Sequence, residues 1–379
     1  MIGVLLRFKK ETVAIQADIK AMFHQVKVPA NDRDLLRFLW WKNGDIKEDI
    51  EEYRMTVYPF GTTTSPSCAT FALKRTVADH KQEYGEETIK TASRGFYVDD
   101  CLTSTQNVET ATILVSELRN LLAKGGFCLT KWISNSREVM KSIPKSEWSE
   151  GASNLDLSND TLPVERALGL HWNVEKDSLT FKVKLRNKPN TRRGMLSVIN
   201  SIYDPLGFGV VAVLPMKVLL QKICRENLGW DEPIPPAEER QWLNWLTKIH
   251  KLSAFTVPRC FKPPRFGKLI HAQLHHFADA SENAYGSVTY LRIVNENGDI
   301  HCSFVFGKSR LAPIKPLTIP RLELCAAVVA SQSDMLKNEL QIPELETSSV
   351  FWTDSATVLR YLNNESKSFH TFVANRLQK

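Results

Sequence analysis

Phe96-Tyr97-Val98-Asp99-Asp100 places two adjacent acids inside an apolar run. A second apolar strand pattern, upstream, ends in an isolated acid at Asp18. Strand side chains alternate between faces, so neighbouring carboxylates ordinarily point apart. They become useful together where the chain turns over, as at a hairpin tip. Buried carboxylates raise one another's pKa unless a cation is present. A divalent ion resolves that conflict, and Mg²⁺ held by a few carboxylates plus substrate phosphates is the common solution. A bare Asp-Asp pair is otherwise a solvated acidic turn, so the surrounding residues decide the reading.

Working outward, residues 11–19 read as a strand, with Val13, Ile15, Ala17 and Ile19 on one face and Gln16 and Asp18 on the other. A short helical pattern follows through Met22, Phe23 and Val26 and stops before Pro29. Arg37–Trp41 and Tyr53–Val57 are expected as strands flanking a turn at Asn43-Gly44. The loop Pro59-Phe60-Gly61-Thr62-Thr63-Thr64-Ser65-Pro66 leads into a helix over 67–78. A hairpin is expected around 95–104 and a helix over 107–124, closed by Gly125-Gly126.

Residues 141–163 are polar and read as a surface loop. A basic cluster, Arg186, Lys188, Arg192 and Arg193, follows, and Pro263-Pro264 marks the expected last domain boundary. Beyond it, Leu274–Phe277, Val288–Val294 and Cys302–Phe306 read as strands, the last two joined at Asn297-Gly298. Leu322, Cys325, Ala326 and Val329 recur at helical spacing, and Val350–Thr353 is a further strand ending at Asp354.

The 379 residues leave room for two or three domains and a sizeable core. No apolar run is long enough to span a bilayer, and the first residues are too short for a signal peptide. Seven cysteines without a CxxC pair argue against a disulfide framework or a zinc ribbon, and for a reducing setting. The net charge of +7 permits a polyanionic partner.

Taken in order, Ala17-Asp18-Ile19-Lys20-Ala21-Met22-Phe23, Pro59-Phe60-Gly61 through Pro66, and Tyr97-Val98-Asp99-Asp100 resemble the palm of reverse transcriptases. Leu36–Trp41 and Ile202-Tyr203-Asp204-Pro205-Leu206-Gly207 are similar to BEL/Pao-type retrotransposon Pol polyproteins. The resemblance implies an α/β (α+β) multidomain fold. Its parts are a reverse-transcriptase palm with partial fingers over 1–140, a thumb/connection region over 141–264, and a C-terminally truncated ribonuclease H-like domain over 265–379. Only residues 1–17 precede Asp18, which is the ground for expecting partial fingers.

The resemblance also implies roles. Asp18 and Asp99 would bind metal directly, with Asp100 in support. Phe23 would exclude a 2′-hydroxyl, and Phe60 and Gly61 would cover the incoming base. Lys131 would lie near the nucleotide's phosphates, and Leu168–Trp172 would form the primer-grip hairpin. Phe277-Ala278-Asp279-Ala280-Ser281, Ile319–Leu324 and Trp352-Thr353-Asp354-Ser355 resemble a ribonuclease H domain. Asp279, Glu323 and Asp354 would be its acids, with Ser281 and Arg321 as substrate contacts or structural residues. After Asp354 the only acid is Glu365, so that domain's fourth carboxylate is expected to be missing. Two Mg²⁺ per site, with Mn²⁺ as a substitute, suit in-line phosphoryl chemistry.

The implied function is RNA-directed DNA synthesis with cleavage of RNA in RNA/DNA hybrids. The implied partners are an RNA template, a DNA primer, the hybrid, deoxynucleoside triphosphates and the parent element's protease and integrase, with no membrane. The implied setting is intracellular, in a cytoplasmic virus-like particle or the nucleus. The competing reading is a truncated, inactive remnant that still binds template–primer.

Overall fold

The computed structural model describes residues 1–378 apart from 184, 186 and 365–367. Two compact bodies make up the chain: residues 13–162, and residues 1–12 together with 163–379. The helix α1 (Ile2–Phe8) belongs to the second body and is described with it.

The body over 13–162 is built on a four-stranded antiparallel sheet. Its strands are β1 (Val13–Ile19), β4 (Phe96–Tyr97), β5 (Asp100–Thr105) and β6 (Leu129–Ser134), in the order β4-β5-β1-β6. Between β1 and β4 lie β2 (Arg37–Trp41), β3 (Ile50–Arg54), α2 (Ser65–His80) and α3 (Glu86–Arg94). α4 (Val108–Lys124) joins β5 to β6, and α5 (Arg137–Lys141) follows. Leu114, Leu118, Leu121 and Leu122 recur at helical spacing on α4 and are buried with Ala14, Ile15 and Leu102. Asn107 caps α4 by accepting from the Thr110 N–H at 2.8 Å. Gly125 ends it, and a Cβ there would meet Thr76 of α2 at 2.2 Å, so only glycine permits this approach.

Three sequence expectations are corrected in this body. The return strand spans Ile50–Arg54, not Tyr53–Val57, so the connection over 42–49 is shorter than expected, and it starts with a 3₁₀ turn. The pattern through Met22, Phe23 and Val26 forms only a 3₁₀ turn, Met22–Gln25, which starts after a left-handed Ala21 (φ 49°) and ends where Val26 turns extended. α3 was not foreseen: its apolar content is low, and Glu117 holds its start by accepting from Gly85 N–H and Thr88 Oγ1.

In the second body, β7 (Val164–Ala167), β8 (Leu170–Asn173), β9 (Ser178–Thr180) and β10 (Thr256–Pro258) form an antiparallel sheet in the order β10-β9-β8-β7. The β7–β8 turn is Leu168-Gly169, both at positive φ (46° and 89°), as a two-residue I′ hairpin requires. Fully buried Arg259 organises the surroundings. It forks onto Asp177 at 2.6 and 2.8 Å and donates to the carbonyls of Phe8, Glu11 and Thr12. Buried Lys9 donates to Pro258 C=O at 2.9 Å and lies over the rings of Phe208 and Phe261. α6 (Arg192–Ser201), α7 (Val210–Arg225) and α8 (Pro236–Ile249) pack around Met195, Ile199, Met216, Ile223, Trp242 and Trp245.

The last sheet contains β11 (Leu269–Ala280), β12 (Ala284–Asn295), β13 (Ile300–Leu311) and β14 (Val350–Trp352), ordered β13-β12-β11-β14. The first three are antiparallel and β14 is parallel to β11. α9 (Ile319–Asp334) lies across β11 and β12, and α10 (Lys337–Leu340), α11 (Ala356–Leu362) and α12 (Thr371–Leu377) complete the body. The three strands, helix, strand and helix expected from the sequence are all present; the three antiparallel strands run longer than their apolar cores suggested, and the fourth ends at Trp352. Among the described residues, no helix is long and apolar enough to cross a membrane.

Candidate active sites

Asp18 and Asp100 stand directly opposite each other in the β1–β5 ladder. Like charges placed this way destabilise a sheet unless something compensates. Tyr97 pairs with Asp100, so Val98 and Asp99 form the tip of the β4–β5 hairpin. The tip folds over the end of β1, where Ile19 N–H donates to the Asp99 carbonyl at 3.0 Å. Three acids from two strands therefore share one end of the sheet. Val98 has a φ of 58°, a left-handed conformation that is a real outlier for a β-branched residue. Such strain persists only where the surroundings enforce it.

Burial pushes the Asp18 carboxyl above its ordinary pKa, and the Asp99 charge adds to this. The Lys131 ammonium opposes both through a hydrogen bond and its charge. Lys131 Nζ lies 3.2 Å from Asp18 Oδ2. It reaches there from a β-bulge, since the β1–β6 register slips between Gln16 and Asp18 and Lys131 itself has a φ of 54°.

Phe23 and Phe60, distant in sequence, meet edge to face at 5.1 Å, and His24 touches Phe60 at the same separation. Phe23 is half-buried and Phe60 is 63% exposed. The loop carrying Phe60 is tied together at the Pro59 carbonyl, which accepts from Thr62 Oγ1 at 3.1 Å and Ser65 Oγ at 2.7 Å. Gly61 needs its freedom for conformation rather than space: its φ is 90° and nothing crowds a Cβ there.

In the second body, Phe277 of β11 pairs with Trp352 of β14 in parallel register. Asp279 and Asp354 follow two residues later on each segment, at the same end of the sheet. Both acids are exposed, and Asp279 accepts from the Ala280 N–H at 2.7 Å. Glu323 is half-buried on α9 and accepts from the Ser355 hydroxyl, next in sequence to Asp354. Ser355 also caps α11 by accepting from Val358 N–H at 3.2 Å. Sequence reasoning missed this linking role. The signal was a serine immediately before a helical pattern.

Ser281 closes the β11–β12 turn through mutual hydrogen bonds with Ala284, and Arg321 lies over the Phe372 ring. Two residues of the basic cluster, Arg192 and Arg193, have partners within the fold. Arg193 forks onto Asp231, Arg192 donates to the Leu228 carbonyl, and both lie against Trp230. Lys188 is exposed, while Arg186 and Glu365 lie outside the described residues.

Among the described residues, no three His, Cys, Asp or Glu side chains are gathered into a metal cage. The donors nevertheless suit Mg²⁺, which takes one or two carboxylates and completes its shell with water and substrate phosphates. Asp18 already accepts a cation, the Lys131 ammonium, on one of its oxygens.

Residues 3–131 match the family model for reverse transcriptase (RNA-dependent DNA polymerase). Residues 191–355 match the model for the Pao retrotransposon-like RNaseH-like domain. Similar solved structures include the foamy viral protease-reverse transcriptase in complex with an RNA/DNA hybrid, at 16% identity and a TM-score of 0.57. Its dRH form in complex with double-stranded DNA gives 14% and 0.56, and another double-stranded DNA complex gives 15% and 0.54. All of this chain is covered in each case, against 44%, 56% and 67% of those chains. No curated protein matches.

The fold is that of a reverse transcriptase, a mixed α/β chain with reverse-transcriptase and RNase H-like regions. More particularly, residues 3–131 are similar to reverse transcriptases and residues 191–355 to the RNase H-like domain of Pao retrotransposons.

Proposed function

We propose that this chain is the RNA-directed DNA polymerase and RNase H-like part of a retrotransposon Pol polyprotein. The observation that carries the reading is the register that sets Asp18 opposite Asp100, with Asp99 at the adjoining hairpin tip. The three-part division at 140 and 264 belongs to the same proposal.

In the palm, Asp18 and Asp99 would hold Mg²⁺, with Asp100 in support. In the RNase H-like region, Asp279, Glu323 and Asp354 would do so. Bound Mg²⁺ would supply charge stabilisation for the attacking and leaving oxygens of phosphoryl transfer. The remaining roles fall to side chains. Phe23 and Phe60 form an apolar wall against the nucleotide, with Phe23 beneath the sugar and Phe60 and Gly61 over the base. The Lys131 ammonium provides positive charge for the phosphates. Its partners are an RNA template, a DNA primer, the hybrid they form and deoxynucleoside triphosphates, alongside the protease and integrase of the parent element in a cytoplasmic particle or the nucleus.

Extension of a DNA primer on an RNA template in Mg²⁺ tests the reading, with Asp99→Asn as its control. Extension by the wild-type chain, its loss in Asp99→Asn, and retained hybrid binding are expected. Equal extension by both proteins would remove Asp99 from the chemistry. Hybrid binding by both without extension would leave a template–primer binder.

A further inference from the structure

We infer that Lys131 is a built-in counter-ion of the palm acids: its ammonium holds the cation position on Asp18 and must yield before a divalent ion can take it. This rests on the reading of Asp18 as a metal ligand.

The backbone is the first argument. Thr130 is the residue paired with Asp18, so their side chains share a face. Strict alternation would send Lys131 to the opposite face. The bulge between the Gln16 and Asp18 pairings, with Lys131 in the left-handed region at φ 54°, turns it back. Left-handed backbone is unfavourable for a lysine, so the slipped register of the two strands, not the residue's own preference, holds it there.

The second argument is where the side chain goes. The Asp18 side chain is 19% exposed, whereas that of Lys131 is 55% exposed. The lysine therefore extends from solvent onto a mostly covered carboxylate, and Nζ stops 3.2 Å from Oδ2. Asp99 adds a second negative charge to that neighbourhood.

The third argument is chemical. An ammonium and a divalent ion compete for the same carboxylate oxygen, and once displaced the ammonium still repels the ion nearby. The chain by itself then binds a divalent ion weakly. A nucleotide's phosphates would offer the ammonium a new partner and the ion further oxygen ligands. Entry of ion and nucleotide are thereby coupled through one side chain.

The test is binding of Mn²⁺ alone to the full chain, read as the loss of the free-ion electron paramagnetic resonance signal. Lys131→Met should bind about tenfold more tightly than wild type, a change worth ~1.4 kcal/mol. Lys131→Arg keeps the charge and should stay near wild type. In an Asp18→Asn background, Lys131→Met should no longer tighten binding. Lys131→Asn, whose side chain tolerates left-handed backbone, repeats the test should the Met variant fold poorly. Asp18-dependent Mn²⁺ binding that Lys131→Met and Lys131→Asn leave unchanged or weaken overturns the counter-ion role alone. Absence of Asp18-dependent binding in every variant overturns the metal-ligand reading as well.

Discussion

Phe277 and Trp352 lie side by side on parallel strands, their rings 5.9 Å apart and 9° from coplanar. Trp352 also donates from Nε1 to His275 Nδ1 at 3.1 Å. This stack sets β14 level with β11, so that Asp279 and Asp354 emerge at the same height. The pair is half exposed, at 42% and 49%, so it aligns the strand ends more than it supports the core.

On the proposed RNase H-like function, Trp352→Ala should lower cleavage of the RNA strand in a hybrid about tenfold while costing only ~1–2 kcal/mol of stability. Asp354→Asn should abolish cleavage and leave melting nearly unchanged. Gel-based cleavage in Mg²⁺ and thermal melting of the three proteins check this.

Val98 at φ 58° occupies the first position of the acidic hairpin tip. Val98→Gly removes strain of ~1–2 kcal/mol but frees the unfolded chain, which offsets ~0.5–1 kcal/mol. The net expectation is a gain in stability of up to about 1.5 kcal/mol together with, on the proposed function, slower primer extension, because the tip no longer holds Asp99 in one place. Urea denaturation and single-nucleotide extension rates measure the two effects. Loss of stability in Val98→Gly would show that the valine side chain contributes more than its backbone costs.

Lys9 is fully buried, and burial lowers its pKa from the usual lysine value to about 7, with the Arg259 charge acting in the same direction. The unfolded chain then carries a proton that the folded chain lacks between pH 7 and the ordinary lysine pKa. Stability should rise with pH across that window. Relative to Lys9→Met, which lacks the group, the unfolding free energy of the wild type should increase by about 2 kcal/mol between pH 7 and pH 9. Parallel curves for the two proteins would mean that Lys9 stays protonated, held by the Pro258 carbonyl and the two rings.

Arg259 bonds Asp177 and three backbone carbonyls of residues 8–12 from a fully buried position. Arg259→Met should cost ~3–5 kcal/mol, because it removes the guanidinium from the three carbonyls and from Asp177, which keeps only the Trp172 indole N–H among its side-chain donors here. Urea unfolding and protease sensitivity of residues 1–12 report the loss. A cost below ~1 kcal/mol would mean that water replaces the guanidinium.

Much of the candidate site was legible in the chain because its signals are local. Asp18 at a strand end, Asp99-Asp100 at a turn, and Asp279 and Asp354 at two further strand ends are each found where an apolar alternation stops. The β2–β3 connection was less legible: the return strand starts at Ile50, three residues before the expected Tyr53. Exposed residues such as Leu39 and Ile50 carry no inward face to set the register. The segment Ile202–Gly207 was recognisable as a pattern but not as a device. Asp204 accepts from the N–H groups of Gly207, Phe208 and Gly209, and Gly207 packs against Gly307, whose carbonyl a Cβ would meet at 1.9 Å.

Sequence alone determined the kinds of element and where their acids fall, since apolar periodicity and turn residues act over a few positions. Tertiary structure decided which side chains meet. The contacts of Lys131 with Asp18, Phe23 with Phe60 and Ser355 with Glu323 join residues 113, 37 and 32 positions apart. Two of them depend on a bulge or a helix cap that shifts a side chain from its default direction. Such contacts arise from packing and register between distant strands and helices, which no local pattern encodes.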